Sequence, residues 1–184
     1  MKIGFIGAES TGKTSAARLL APMLGIPLIE ELVRDLCASW GCRTPADVPD
    51  VRVAQRAYLD AQAAKQMSMG PSYVSDRTTL DNAAYMLQYA APTMPLEDVR
   101  KFLEDAKLHV QPFDLLVYFP IAWDVVEDDG FRNTDPALRR EVGDIIWQLV
   151  LDFELRAKTY VVREEGVQPR VREILREMTR MRLI

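Results

Sequence analysis

The sequence is poor in the residues that build metal centres and covalent frameworks, with two cysteines and one histidine among 184 residues. Cys37 and Cys42 have no second pair and His109 lies far along the chain, so neither a zinc site nor a disulfide framework can be assembled from them. Reduced thiols, and with them the cytoplasm, are the expectation. No apolar run approaches the roughly 18 residues of a membrane-spanning helix, and the amino terminus shows no basic-then-apolar leader. Positive charge is also in deficit: 23 Lys and Arg against 27 Asp and Glu give a net charge of -4, which argues against binding long nucleic acid by bulk charge. There is no internal repeat, low-complexity tract or linker. Two nucleotide-enzyme signatures are absent as well, the N-K-x-D and D-x-x-G of guanine switches and the L-S-G-G-Q of transporter ATPases.

What remains is enough for one domain over residues 1–184, since 48% hydrophobic content at this length can bury a sizeable core. Ile3 to Ile6, Ile26 to Ile29, Tyr73 to Asp76, Leu115 to Phe119 and Thr159 to Val162 are short apolar runs that read as strands buried on both faces. Between them fall helical patterns: Lys13 to Leu24, with Pro22 expected to kink or shorten its last turn; Leu32 to Trp40; Val51 to Met69; Leu80 to Tyr89; Leu96 to Leu108; a helix started by Asp135-Pro136; and a last one marked by Val171, Ile174, Leu175 and Met178. The alternation predicts an α/β fold, a five-stranded parallel sheet with helices on both faces. The polar segment at about 124–140 reads as a lid.

Directly behind the first strand stands Gly7-Ala8-Glu9-Ser10-Thr11-Gly12-Lys13-Thr14, which satisfies G-x-x-x-x-G-K-[ST] between a buried strand and a helix. Such a loop aims successive backbone N–H groups at phosphate oxygens, aided by the positive end of the helix dipole. Lys13 is placed to reach the β and γ phosphates and the Thr14 hydroxyl to ligate Mg²⁺. ATP with Mg²⁺ is the expected cofactor pair, but the loop alone does not say what the triphosphate is used for.

Chemistry in open α/β sheets gathers at the carboxyl ends of strands. Asp76 closes the third strand and is a candidate for the Mg²⁺ shell or for taking a proton from an acceptor hydroxyl; its structural alternative is a helix cap. Glu31 and Arg34, three apart, would share a helix face as acceptor-facing residues or as a solvated ion pair. Arg77 is a candidate for binding acceptor phosphate or ribose, or for pairing with a neighbouring acid. Arg132 is a candidate lid arginine over the phosphates, with Arg139 and Arg140 weaker candidates. Tyr58, Gln62, Tyr85 and Tyr89 either border a base pocket or belong to the core, and Arg172, Arg176 and Arg180 read as a solvated helix face.

These residues resemble the small phosphate-loop kinases related to the ribosylnicotinamide kinase domain of the bacterial NAD-synthesis regulator, a group that includes bacteriophage members. The likeness runs through GAESTGKT, Glu31-Leu32-Val33-Arg34, Asp76, Phe113-Asp114-Leu115-Leu116-Val117 and Asp128-Asp129-Gly130-Phe131-Arg132. It implies a single-domain phosphate-loop kinase fold in which Glu31, Arg34 and Asp76 face the acceptor and Arg132 belongs to the lid; joined to the residue-level reading, the expected catalytic set is Lys13, Glu31, Asp76 and Arg132, and the expected acceptor-binding set is Glu31, Arg34 and Arg77. Asp76-Arg77-Thr78 departs from the ribosylnicotinamide kinase pattern towards nucleoside and nucleotide kinases. Three readings stand: transfer to a free nucleoside or nucleotide, transfer to 5-hydroxymethyldeoxyuridine in DNA, or a regulatory ATP-binding module without turnover.

Overall fold

The computed structural model describes residues 1–121, 130–131 and 135–184. Five strands, β1 (Lys2–Ile6), β2 (Leu28–Ile29), β3 (Tyr73–Asp76), β4 (Leu115–Tyr118) and β5 (Thr159–Val161), form one parallel sheet in the order β2-β3-β1-β4-β5. Around it, among the described residues, lie α1 (Lys13–Leu24), α2 (Val33–Ser39), α3 (Val51–Ser68), α4 (Thr79–Tyr89), α5 (Leu96–Val110), α6 (Pro136–Asp152) and α7 (Val167–Arg180). The expected α/β architecture is therefore the observed one.

Strand side chains alternate between two apolar layers, as a period of two requires. Ile3 and Phe5 of β1 and Leu115 and Val117 of β4 pack with Ala16, Ala17 and Leu20 of α1 and Val171, Ile174 and Met178 of α7. On the other face Ile6 and Leu116 join Leu80, Ala83 and Ala84 of α4, Phe102 and Ala106 of α5, and Val142 and Ile146 of α6. Both faces are covered, which explains why the strands read as continuous apolar runs.

One expected boundary holds and another moves. α1 is not shortened by Pro22, which lies inside it; the helix runs to Leu24 and closes on a left-handed Gly25 whose N–H reaches the carbonyl of Pro22. Only the last half of Ile26 to Ile29 pairs as a strand, because β2 is the sheet edge and bonds β3 alone. Among the described residues no helix is long and apolar enough to cross a membrane.

Candidate functional site

The loop between β1 and α1 is held by its own glycines and by neighbours on both sides. Gly7 has φ 143°, and a Cβ there would lie 2.5 Å from the Phe119 carbonyl oxygen of β4's exit, so no larger residue fits. Gly12 is left-handed at φ 89°, and a Cβ there would meet an Arg170 guanidinium nitrogen at 2.7 Å. Ser10 also adopts a positive φ, 57°. The Gly7 N–H donates to Asp81 Oδ1 at 3.1 Å, while Asp81 Oδ2 accepts the Thr78 N–H at 2.9 Å. One buried carboxylate thus joins the phosphate loop to the start of α4, and burial pushes its pKa up.

Lys13 is 4% exposed and donates to the carbonyls of Gly7 at 2.8 Å and Ala8 at 2.5 Å and to Thr11 Oγ1 at 3.2 Å. Burial, with the nearby Arg77 charge second, lowers its pKa to about 8. The Thr14 hydroxyl donates to Asp76 Oδ2 at 2.5 Å. Asp76 is not a helix cap; Thr78 caps α4, with Asp81 completing a capping box. The other Asp76 oxygen, Oδ1, is buried without a hydrogen-bond partner. An orphaned carboxylate oxygen beside a threonine hydroxyl at the phosphate loop fits a hard divalent cation, whose remaining ligands would come from triphosphate oxygens and water. Among the described residues there is no cluster of three or more His, Cys, Asp or Glu that would hold a metal on its own.

Arg77 follows β3 in a left-handed conformation, φ 84°, unusual for a side-chain-bearing residue. Its backbone is fixed from three sides: its N–H donates to the Phe5 carbonyl at 3.1 Å, and its carbonyl accepts Ser75 Oγ at 2.6 Å and Gln62 Nε2 at 3.2 Å. The side chain donates to Glu31 Oε1 at 2.6 Å, both partners being close to 10% exposed. Burial opposes the guanidinium charge, but the carboxylate of Glu31 leads the groups that more than offset it, so the pKa ends well above its usual value. Glu31 precedes α2 instead of lying on it, because the helix begins at Val33. Arg34, on the first turn, stacks over the Phe131 ring at 4.1 Å.

Two openings meet at the Glu31–Arg77 pair. A small cleft of about 70 Å³ is lined by Ser10 to Ser15 of the loop together with Asp76, Glu31 and Arg77. A larger cavity of about 510 Å³ lies beside it, walled by Tyr58, Tyr85, Tyr89, Phe131, Gln55 and Asn82, and again by Glu31 and Arg77. Within it Gln55 Oε1, Asn82 Oδ1 and the Tyr85 hydroxyl are buried without partners. Of the two readings open for these residues, Tyr58, Tyr85 and Tyr89 line the cavity, whereas Gln62 braces Ser75 and the Arg77 carbonyl.

Arg132 and most of the lid segment at about 124–140 lie outside the described residues. Arg139, at the start of α6, is 1% exposed and donates from Nε to the Glu9 carbonyl at 3.3 Å, which makes it a neighbour of the phosphate loop. Sequence reasoning undervalued it, along with Gln55, Asn82, Asp81 and Arg170, because none belongs to a local motif. Arg172, Arg176 and Arg180 are exposed, as expected for a solvated face.

The fold and the loop define a phosphate-loop α/β protein with a second cavity next to the phosphate cleft. The sequence matches the family model described as AAA domain over residues 2–170, and the chain belongs to that family. No curated protein matches the sequence. Among solved structures, the chain is similar to NadR protein in complex with NR, at 20% identity and TM-score 0.71, covering 90% of this chain and 46% of that one. It spans about half the length of that protein. Deoxyadenosine kinase from M. mycoides is similar at 17% identity and TM-score 0.71 over 98% of this chain and 100% of that one. Thymidylate kinase from Ehrlichia chaffeensis is similar at 15% identity and TM-score 0.65, covering 97% and 98%.

Proposed function

We propose that the protein is an ATP- and Mg²⁺-dependent kinase that phosphorylates a hydroxyl of a nucleoside-type small molecule. The observation that carries this reading is the shared wall: Glu31 and Arg77 line both the phosphate cleft and the 510 Å³ cavity. An acceptor in the cavity would present its hydroxyl at the carboxylate, in reach of a γ-phosphate in the loop. The acceptor oxygen attacks Pγ, its proton passes to Glu31, the bond from Pγ to the bridging oxygen breaks, and ADP leaves. Lys13 would hold the β and γ oxygens, and Asp76 with Thr14 would hold Mg²⁺, which offsets charge on the transferring phosphoryl group. Arg77, fixed by Glu31, would position the acceptor, and Arg34 borders the cavity through Phe131. Arg132 would contribute from the lid.

The cavity also bears on the acceptor's charge. The charged side chains of its described lining are Glu9, Glu31 and Asp81 against Arg77 alone, and Arg77 is already engaged by Glu31. Such a lining favours an uncharged nucleoside over its monophosphate. The cytoplasm, where the two free thiols stay reduced, is the compartment we assign.

Radiolabel transfer from γ-labelled ATP to a panel of nucleosides, their monophosphates, nicotinamide riboside and hydroxymethylated DNA tests the reading. Label is expected in a nucleoside-type product, with Glu31→Gln reducing turnover at least about 100-fold while ATP binding persists. ATP binding without label in any acceptor would leave the regulatory-module reading, and label in DNA alone would leave the DNA-modification reading.

A further inference from the structure

Four backbone carbonyls of the phosphate loop have cationic partners drawn from three helices. Lys13 takes Gly7 and Ala8, Arg139 takes Glu9, and Arg170 takes Thr11. The last stands apart from the motif by 159 residues and is the tightest of the two arginine contacts, at 2.7 Å from the guanidinium to the Thr11 carbonyl. The same side chain donates from Nε to the Glu164 carbonyl at 2.8 Å and lies over the Phe119 ring, 4% exposed. One turn along α7, Glu173 accepts the N–H groups of Arg163 at 3.1 Å and Glu164 at 3.0 Å. Consecutive turns of one helix therefore grip the segment after β5 from both its donor and acceptor sides.

We infer that Arg170 is a positioning residue for the triphosphate, acting through the peptide between Thr11 and Gly12. A trans peptide points its C=O and N–H in opposite directions. A guanidinium that holds the Thr11 carbonyl outward therefore turns the Gly12 N–H inward, towards the place where a phosphate oxygen would sit. The glycine at position 12 serves the same contact, since any Cβ would occupy the space of that guanidinium nitrogen. Because Glu164 shares the side chain, the loop's orientation is tied to the segment leaving β5, on the side of the sheet away from the acceptor cavity. The inference rests on the loop being the donor site proposed above, and it concerns no acceptor contact.

The test compares wild type, Arg170→Lys and Arg170→Met by calorimetric binding of MgATP and of inorganic tripolyphosphate, with urea unfolding measured on each. Arg170→Met is expected to weaken both ligands tenfold or more, the range of a lost charge-assisted hydrogen bond, while the KM for the acceptor stays within twofold. Arg170→Lys, which keeps one donor, is expected to fall between. Should Arg170→Met fail to fold, Arg170→Lys decides alone, since it preserves charge and stem. Binding of both ligands within twofold of wild type in a folded variant overturns the inference, as does a loss confined to MgATP with tripolyphosphate unaffected. A wild type that binds neither ligand overturns the donor reading beneath it, and is told apart by that control.

Discussion

At the scale of single residues, Lys13 combines a local motif's expectation with an electrostatic setting that no motif states. The G-x-x-x-x-G-K-[ST] pattern and its flanking strand and helix were legible because they are local. That burial and Arg77 bring the amine down to about pH 8 depends on β3 lying beside β1, which is a tertiary fact. The folded value lies below the ordinary lysine value, so between about pH 8 and 10.5 the unfolded chain binds more protons and stability from this group rises with pH. Below pH 8 the penalty for burying the charge is fully present. Wild type should therefore gain stability relative to Lys13→Met across that window in urea titrations. ATP binding carries the opposite sign, because the polyanion needs the ammonium form: affinity should fall by up to about tenfold per pH unit above pH 8. A Kd for MgATP that stays flat from pH 7 to 9.5 would contradict the buried, lowered lysine.

Elements were read more securely than the ties between them. Helix and strand existence follows from periodicity, which places β3 and α4 within a residue, whereas local sequence leaves Asp76 open between a site acid and the cap of α4. Asp76 looked like a cap because Asp commonly is one; its carboxylate instead meets Thr14 across 62 positions, and Thr78 with Asp81 does the capping. Nothing local in the sequence signals that Asp81 also receives the Gly7 N–H, since that bond spans 74 positions. This double duty makes Asp81 expensive to remove. Asp81→Ala would leave buried N–H groups of Gly7 and Thr78 without their acceptor and strip half of the capping box. A loss of at least about 2 kcal/mol is expected, the sum of a helix cap and an orphaned buried donor. Urea unfolding measures it, and MgATP affinity should drop in parallel because the first residue of the phosphate loop loses its anchor. A cost below about 0.5 kcal/mol would mean that water replaces the carboxylate at both donors.

On the scale of the whole molecule, the sheet order separates two tasks. β1 carries the phosphate loop near the middle; α3 and α4, with the exit of β3, wall the larger cavity on one side, and on the other Arg170 ties the Thr11 carbonyl of the loop to the segment after β5. Alternating strands and helices foretold the sheet, but which helix faces meet to enclose about 510 Å³ could not be read from periodicity, because Tyr58, Tyr85 and Tyr89 look the same lining a cavity as filling a core. Global charge completes the argument about partners. A chain of net charge -4 with an acid-rich cavity has no surplus of cations to trade for the counterions of a duplex. An enzyme using six or more phosphate contacts to hold DNA would lose about a thousandfold in affinity between 50 and 200 mM salt. With MgATP saturating, the acceptor KM of this protein should instead change by less than about twofold over that interval, because an uncharged nucleoside releases no condensed ions on binding. Steady-state rates at the two salt concentrations give the answer directly, and a steep logarithmic dependence would shift the acceptor from a small molecule to a nucleic acid.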